Sequence, residues 1–217
     1  MTTRSLLDKE LNKLKEHLLH IEDMVQSAID RSIEALKNMD CELAQQIIDD
    51  DEDINKLRYK VEKLGVVIIA TQQPMASDLR TIIASMHIAI EMERMADHAA
   101  GIAQLVIPMH NEPLLKPLID IPRMAQIAKE MLHSSIQAFM DGNAEAAKQI
   151  AARDDEIDQL YDQILRELLT YMIEDPRNIQ RATFLLWVAH GLERIGDRIT
   201  NINERTLFME TGKFKEL

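Results

Sequence analysis

Apolar residues recur along this chain at seven-residue intervals, the spacing of helices that bury one face against their neighbours. Ile47, Ile54, Val61 and Ile68, with Leu57 and Leu64 at the companion positions, form one series, and Ile150, Ile157 and Ile164 form another. With the turn formers between them, these series predict six helices of about 20 to 35 residues each. The first runs from Ser5, which reads as a capping box with Asp8, to Met39. Asp40 caps a second that continues through Ile69, and a third starts near Pro74 or Ser77 and ends before Pro108. A fourth begins near Pro122 and stops at Asp141-Gly142-Asn143, where Gly142 takes the left-handed C′ position and Asn143 caps the fifth. Asp175-Pro176 opens the sixth, which reaches about Phe208.

The pattern is written twice. ERMADHAAGIA from Glu93 returns as ERIGDRITNIN from Glu193, 100 residues on. Displaced by 103 residues, Ile33, Ala35, Leu36, Ala44, Ile54 and Leu57 fall on Ile136, Ala138, Phe139, Ala147, Ile157 and Leu160. The change of offset belongs in a loop, so the elements match. The expected fold is all-α, a tandem duplication of two up-down-up three-helix bundles, each with its own core. Residues 1–109 form the first and residues 118–217 the second; 110–117 is the Pro-containing linker.

Within the third helix Leu79, Ile83, Met86 and Ile90 form a seam at spacings of four, three and four, and the same spacing continues onto Glu93 and Asp97. In the sixth, Ile179, Thr183, Leu186 and His190 lead to Glu193 and Asp197. Residues four apart stand about 40° apart around a helix, so each Glu-x-x-x-Asp presents two carboxylates to one spot. For one such pair the plain reading is a solvated face, with Arg94 and Arg194 pairing locally to Asp97 and Asp197. Two copies in register on the seam side favour a site, because burying like charges together is costly unless a cation compensates. Asp51 with Asn55, and Asp154 with Asp158, are equivalent between the copies and supply further oxygens from the preceding helices. An all-oxygen set suits iron, manganese, magnesium or calcium ahead of zinc. The acidic run Asp49 to Asp53 reads equally well as a solvated helix face.

Composition narrows the class. Hydrophobic residues make up 46% of the 217 and aromatics 4%, with only 6 Gly and 6 Pro, a helical balance short of turn formers. Net charge is −12, which disfavours nucleic acid, anionic lipid and direct phosphate capture without an intervening metal. Cys41 is the single cysteine, pointing to a reducing compartment, and neither a signal peptide nor a membrane span is expected. Glu130 and His133 have the Glu-x-x-His spacing of di-iron bundles, but the second pair such a site requires is missing, so His133 reads as a packing or capping residue. Phe184, Trp187 and the 13 methionines read as core filler. No phosphate loop, nucleophile elbow or HExxH is found.

The paired ER(M/I)(A/G)D(H/R) signatures, PMASDLR from Pro74 and ADHAAGIA from Ala96 resemble the PhoU family of phosphate-uptake regulators, as do DDEIDQLYDQI from Asp154 and MIEDPRNI from Met172. The resemblance spans nearly the whole chain. It implies a cytoplasmic homodimer of two-bundle subunits that does no catalysis. Such a protein is an adaptor between the ATP-binding subunit of the Pst phosphate ABC transporter and a PhoR-type sensor histidine kinase, and it holds the starvation response off when phosphate is plentiful. It also implies metal at the E(D)-x-x-x-D motifs, carried here by Glu93, Asp97, Glu193 and Asp197 with Asp51, Asp154 and Asp158 beside them. Asn55 departs from the acidic pattern in the first copy, and Arg198 stands where a histidine is frequent. The competing class is a metal-binding helical bundle, an iron store or a di-iron-like oxidase, which turnover with oxygen after iron loading would reveal.

Overall fold

The computed structural model describes residues 3–213 and 215–217, with side chains from Leu6 onward. The chain forms α1 (Thr3–Asn38), α2 (Cys41–Gln72), α3 (Ser77–Met109), α4 (Asp120–Asp141), α5 (Ala144–Ala151), α6 (Asp154–Glu174) and α7 (Ile179–Thr211), with a 3₁₀ turn at Pro176–Asn178. No strand occurs among the described residues. Three caps fall where the sequence puts them. The Asp40 side chain accepts from Leu43 N at 3.0 Å, Asn143 from Ala146 N at 3.0 Å and Asp175 from Arg177 N at 3.0 Å. Gly142 sits at φ 66°, and Asn143 N donates to Ala138 O at 2.8 Å, closing α4. The side chain of Ser5, on which the predicted capping box rests, lies outside the described residues.

Two boundaries differ from expectation. Helix α3 runs through Pro108 to Met109 rather than stopping before it. In the last turn a proline costs only one backbone bond, and the packed helix carries that cost. The predicted fifth helix is broken at Ala152-Arg153 into α5 and α6. The break places Asp154, Asp155 and Glu156 in the first turn of α6, where unpaired amides and the helix dipole favour negative charge. In the first repeat the matching run, Asp49 to Asp53, lies inside the unbroken α2.

Helices α3 and α7 pack against each other along their length and run antiparallel. Arg80 Nε donates to Met209 O at 2.8 Å at one end, Asn201 Nδ2 to Glu91 Oε2 at 3.1 Å farther along, and Gly191 lies against Ile102 beyond that. Added to Gly191, a Cβ would stand 3.1 Å from Ile102 Cγ1, so glycine sets the closeness of this crossing. Helices α1 and α4 are likewise antiparallel, joined by Lys15 to Met140 O (3.2 Å), Glu22 to His133 (2.8 Å) and Asp30 to Lys129 (2.6 Å). Helix α2 closes the first repeat on α1 and α3, and α5 and α6 close the second on α4 and α7.

The expectation of a separate core in each repeat is therefore corrected. One apolar cluster extends from Leu7 to Met209 and takes in all the long helices. Its cause is the central α3–α7 pair, whose residues are buried on several sides. That also moves the seam: Ile82, Ala89, Met92, Ala96 and Ala99 are fully buried, whereas the predicted line Leu79, Ile83, Met86 and Ile90 is half-buried. In α7 the core line is Leu185, Val188, Ala189, Leu192 and Ile195. Trp187, expected in the core, is 53% exposed, with an edge contact to the half-buried Phe184.

Candidate functional site

Because the predicted seam is the rim of α3 and α7 rather than their centre, the two acidic motifs sit where packed interior meets water. In the first repeat α3 supplies Glu93 and Asp97 and α2 supplies Asp51 and Asn55. Glu93 is buried to 8% exposure, whereas Asp97 reaches solvent. Asp51 lies within electrostatic reach of both, and burial followed by repulsion from Asp97 and Glu93 pushes its carboxyl up to about 6. Glu93 is raised as well, by burial and then by Asp97. Asn55 donates to Asp51 Oδ2 at 3.2 Å, yet Asp51 Oδ1 is buried without a hydrogen-bond partner. Asp51 and Ala96 also line an open cavity of about 270 Å³ with Asp23, Ser27, Arg31 and Asp50.

The second repeat gathers four carboxylates: Glu193 and Asp197 from α7, Asp154 and Asp158 from α6. Asp154 is pushed up to about 7 by burial, then by Asp158, Asp197 and Glu193. Asp158 and Asp197 are raised too, burial being the first cause of each. Asp154 Oδ1 is buried and unpartnered, as in its counterpart Asp51. The room for it comes from Gly196, inside the second motif, where an added Cβ would come within 2.3 Å of that oxygen. Ala96 holds the equivalent place in the first repeat.

All seven carboxylates expected from the sequence thus fall into two groups of three and four. Among the described residues, however, no three His, Cys, Asp or Glu side chains stand in a metal-holding arrangement as they are. Arginine already engages part of each group. Arg94 places Nε 3.6 Å from Glu93 Oε2 and Nη1 3.3 Å from Asp97 Oδ2. Arg194 engages Glu193 through Nε and Nη2 and Asp197 Oδ2 through Nη1 at 2.8 Å. Each guanidinium therefore spans both carboxylates of its own motif. The local ion pairs that offered the plain reading of one motif are present in both, together with buried, raised carboxylates that a solvated face would not have.

Sequence reasoning found the Asn55–Asp158 difference between the repeats but missed a second one. Arg58, in α2, sets Nε 3.7 Å from Glu93 Oε1, is held by Glu62 at 2.8 Å and covers the Tyr59 ring at 3.8 Å. Its counterpart by repeat offset is Tyr161, whose ring lies 6.2 Å from that of His190. His190 in turn faces Glu193 Oε2 at 3.4 Å. The signal was available as a break in the repeat, Arg58 against Tyr161, but spacing alone does not say which neighbour a side chain reaches. Between the two sites Glu91 accepts from Arg198 and Asn201, and His98 is lowered by burial and by Arg198. Glu130 and His133 do not converge. Glu130 bonds Gln126 and Arg153, while His133 bonds the buried Glu22 of α1.

Gly196→Ala tests whether the glycine keeps Asp154 inside. The methyl should turn that carboxylate outward, and its pKa should drop from about 7 toward the ordinary range around 3.8, as read by NMR titration of the side-chain carbonyl. Helix propensity favours alanine, so stability should stay within about 1 kcal/mol of the parent. An Asp154 that still titrates near neutrality would show that the glycine does not set its position.

The chain matches the PhoU domain model twice, over residues 18–106 and 121–206. It is 41% identical over 207 residues to a phosphate-specific transport system accessory protein PhoU homolog of Aquifex aeolicus, covering 95% of this chain and 94% of that one. A Rhizobium meliloti protein of the same description is 38% identical, covering 96% and 88%. Among solved structures, PhoU from Pseudomonas aeruginosa superposes with a TM-score of 0.89 at 33% identity over 95% of this chain and 99% of that one. The phosphate transport system regulatory protein PhoU from Streptococcus pneumoniae gives 0.89 at 32% identity, over 97% and 100%.

Proposed function

This chain belongs to the PhoU family, and on that premise we propose that it is an accessory regulator of phosphate transport, acting by contact rather than by chemistry on a substrate. In this reading it is a cytoplasmic homodimer that binds the ATP-binding subunit of a phosphate ABC transporter and a sensor histidine kinase, and so keeps the starvation response off. The observation that carries the reading is the match of both repeats, in order, to a family whose relatives are described as phosphate transport accessory proteins. Among the described residues no helix is long and apolar enough to cross a membrane. Contact with a membrane transporter therefore needs exposed helix surface. Tyr59, Val66 and Val67 on α2, Leu169 and Ile173 on α6 and Trp187 on α7 are exposed large hydrophobics of the kind interfaces cover.

Deletion of the gene tests this directly. Starvation-induced phosphatase should rise in phosphate-rich medium, and affinity capture of the intact protein should recover a transporter or kinase component. A null strain that keeps the response off, with neither component recovered, would overturn the adaptor reading.

Within this function we assign the two acidic groups as sites for hard cations. The support is their donor set: oxygens only, each group carrying one buried oxygen without a partner, with Gly196 leaving space for one of them. Glu193, Asp197, Asp154 and Asp158 would hold the ion in the second repeat and Glu93, Asp97 and Asp51 in the first. A bound cation supplies positive charge that cancels carboxylate repulsion and ties α2 to α3 or α6 to α7. The oxidase alternative has no geometric support, since Glu130 and His133 bond different partners.

A further inference from the structure

The arginine of each Glu-Arg-x-x-Asp motif is in an unusual place. Neighbours in a helix point about 100° apart and do not face each other, yet Arg94 folds back over Glu93 and Arg194 over Glu193, each continuing to the aspartate three residues on. Each guanidinium brings positive charge to both carboxylates of its own motif. Both come from the solvent side, the Arg94 and Arg194 side chains being 57% and 41% exposed, whereas the partnerless oxygens of Asp51 and Asp154 are buried. The arginines therefore lie over these clusters as covers that can swing out.

The repeats differ in what remains once the cover moves. In the first, Arg58 stays: its side chain is 13% exposed and fastened by Glu62, and it faces Glu93 from within. In the second, that position is the neutral Tyr161, and Asp158 replaces Asn55. By ion-pair contact the first group sets Arg58 and Arg94 against three carboxylates; the second sets Arg194 against four, with His190 beside Glu193 and Arg198 acting on Asp197 from farther off.

Resting on the cation-site reading above, we propose that Arg94 and Arg194 are built-in counter-ions that a hard cation displaces, and that Arg58 holds the first site in its arginine-filled state, so that the second repeat exchanges first. The exchange changes the surface. Arg194 lies seven residues from the exposed Trp187, on the same face of α7. Once released it presents a free guanidinium next to an aromatic ring, the pair of residue types most enriched at interface centres. Cation occupancy thereby changes which groups α7 presents to solvent around Trp187.

The test is calorimetric titration of manganese(II) into the full metal-free protein, its Arg194→Gln variant and an Arg58→Met, Arg94→Gln double variant. Glutamine and methionine keep helix propensity, and circular dichroism confirms the fold. The wild type should take up one ion. Arg194→Gln should bind it about tenfold more tightly, because one charge-assisted pair no longer has to be broken. The double variant should take up a second ion. In the wild type, manganese should also speed modification of Arg194 by phenylglyoxal, read by peptide mass spectrometry. Equal or weaker binding in Arg194→Gln, or protection of Arg194 by manganese, overturns the exchange while leaving the cation site standing. No uptake by any of the three proteins removes the cation reading and this inference with it.

Discussion

Glu193→Ala combined with Asp197→Ala should abolish cation binding in the second repeat, lowering affinity by on the order of a hundredfold or more. The two residues contribute half of the four carboxylates there, and both come from the helix that carries Gly196 and the covering Arg194. Removing them leaves Asp154 and Asp158, with Arg194 free to pair with either. The fold should survive, since both positions lie at the rim of α7 and alanine is a good helix former. Metal analysis after gentle purification, beside the wild type, decides the matter. An unchanged metal content in a folded double variant would remove these residues from the site.

A second large effect concerns Asp154 and pH. Its carboxyl is raised from 3.8 to about 7, first by burial and then by four carboxylates, Asp158, Asp197, Glu193 and Asp155. Between those two values the native state holds more protons than the unfolded chain, so stability falls as pH rises through that window and is regained on acidification. Asp51, raised to about 6 by burial and by Asp97 and Glu93, acts in the same direction over a narrower range. Metal-free protein should therefore melt higher near pH 5.5 than near pH 8, the reverse of acid destabilisation. Asp154→Asn keeps the shape of the protonated acid. After discounting for water at the rim, it should stabilise the metal-free protein by on the order of 2 kcal/mol at about pH 8, and by little at about pH 4. Thermal melts across that range check both statements. A stability that rises steadily with pH, or an Asp154→Asn variant no more stable than its parent at high pH, would show that the buried charge is not the strained element here.

Legibility from sequence followed how local each feature is. Helices and caps read well because a cap is a contact three residues long: Asp40 with Leu43, Asn143 with Ala146. The break at Ala152-Arg153 did not, since no Gly or Pro marks it and its stabilisation lies in the acidic first turn that follows. The seven carboxylates could be sorted into two groups from sequence because duplication gives most of them a partner to be checked against. The displaced seam was hidden: a helix buried on several sides has no single apolar stripe, and the line chosen in α3 was one edge of a broad buried surface. The same reason left Trp187 wrongly inside. Arg58 lay beyond reach because its role depends on which side of α2 meets Glu93, a matter of packing and not of spacing.

The antiparallel crossing of α3 and α7 sets the two motifs at one level of the molecule, since Glu91 meets Arg198 while Gly191 meets Ile102. Two separate single-repeat chains assembled about such a crossing would be related by a two-fold axis, and every replacement would appear on both sides of it. An arginine at position 58 in one would be matched by the same arginine in the other. Joined end to end through residues 110–117, the repeats keep the approximate symmetry of the crossing without that obligation. Arg58 corresponds by repeat position to Tyr161, and Asn55 to Asp158. Covalent fusion thus allows one pseudo-two-fold framework to carry two unequal charge settings, a difference that identical subunits have no means to encode.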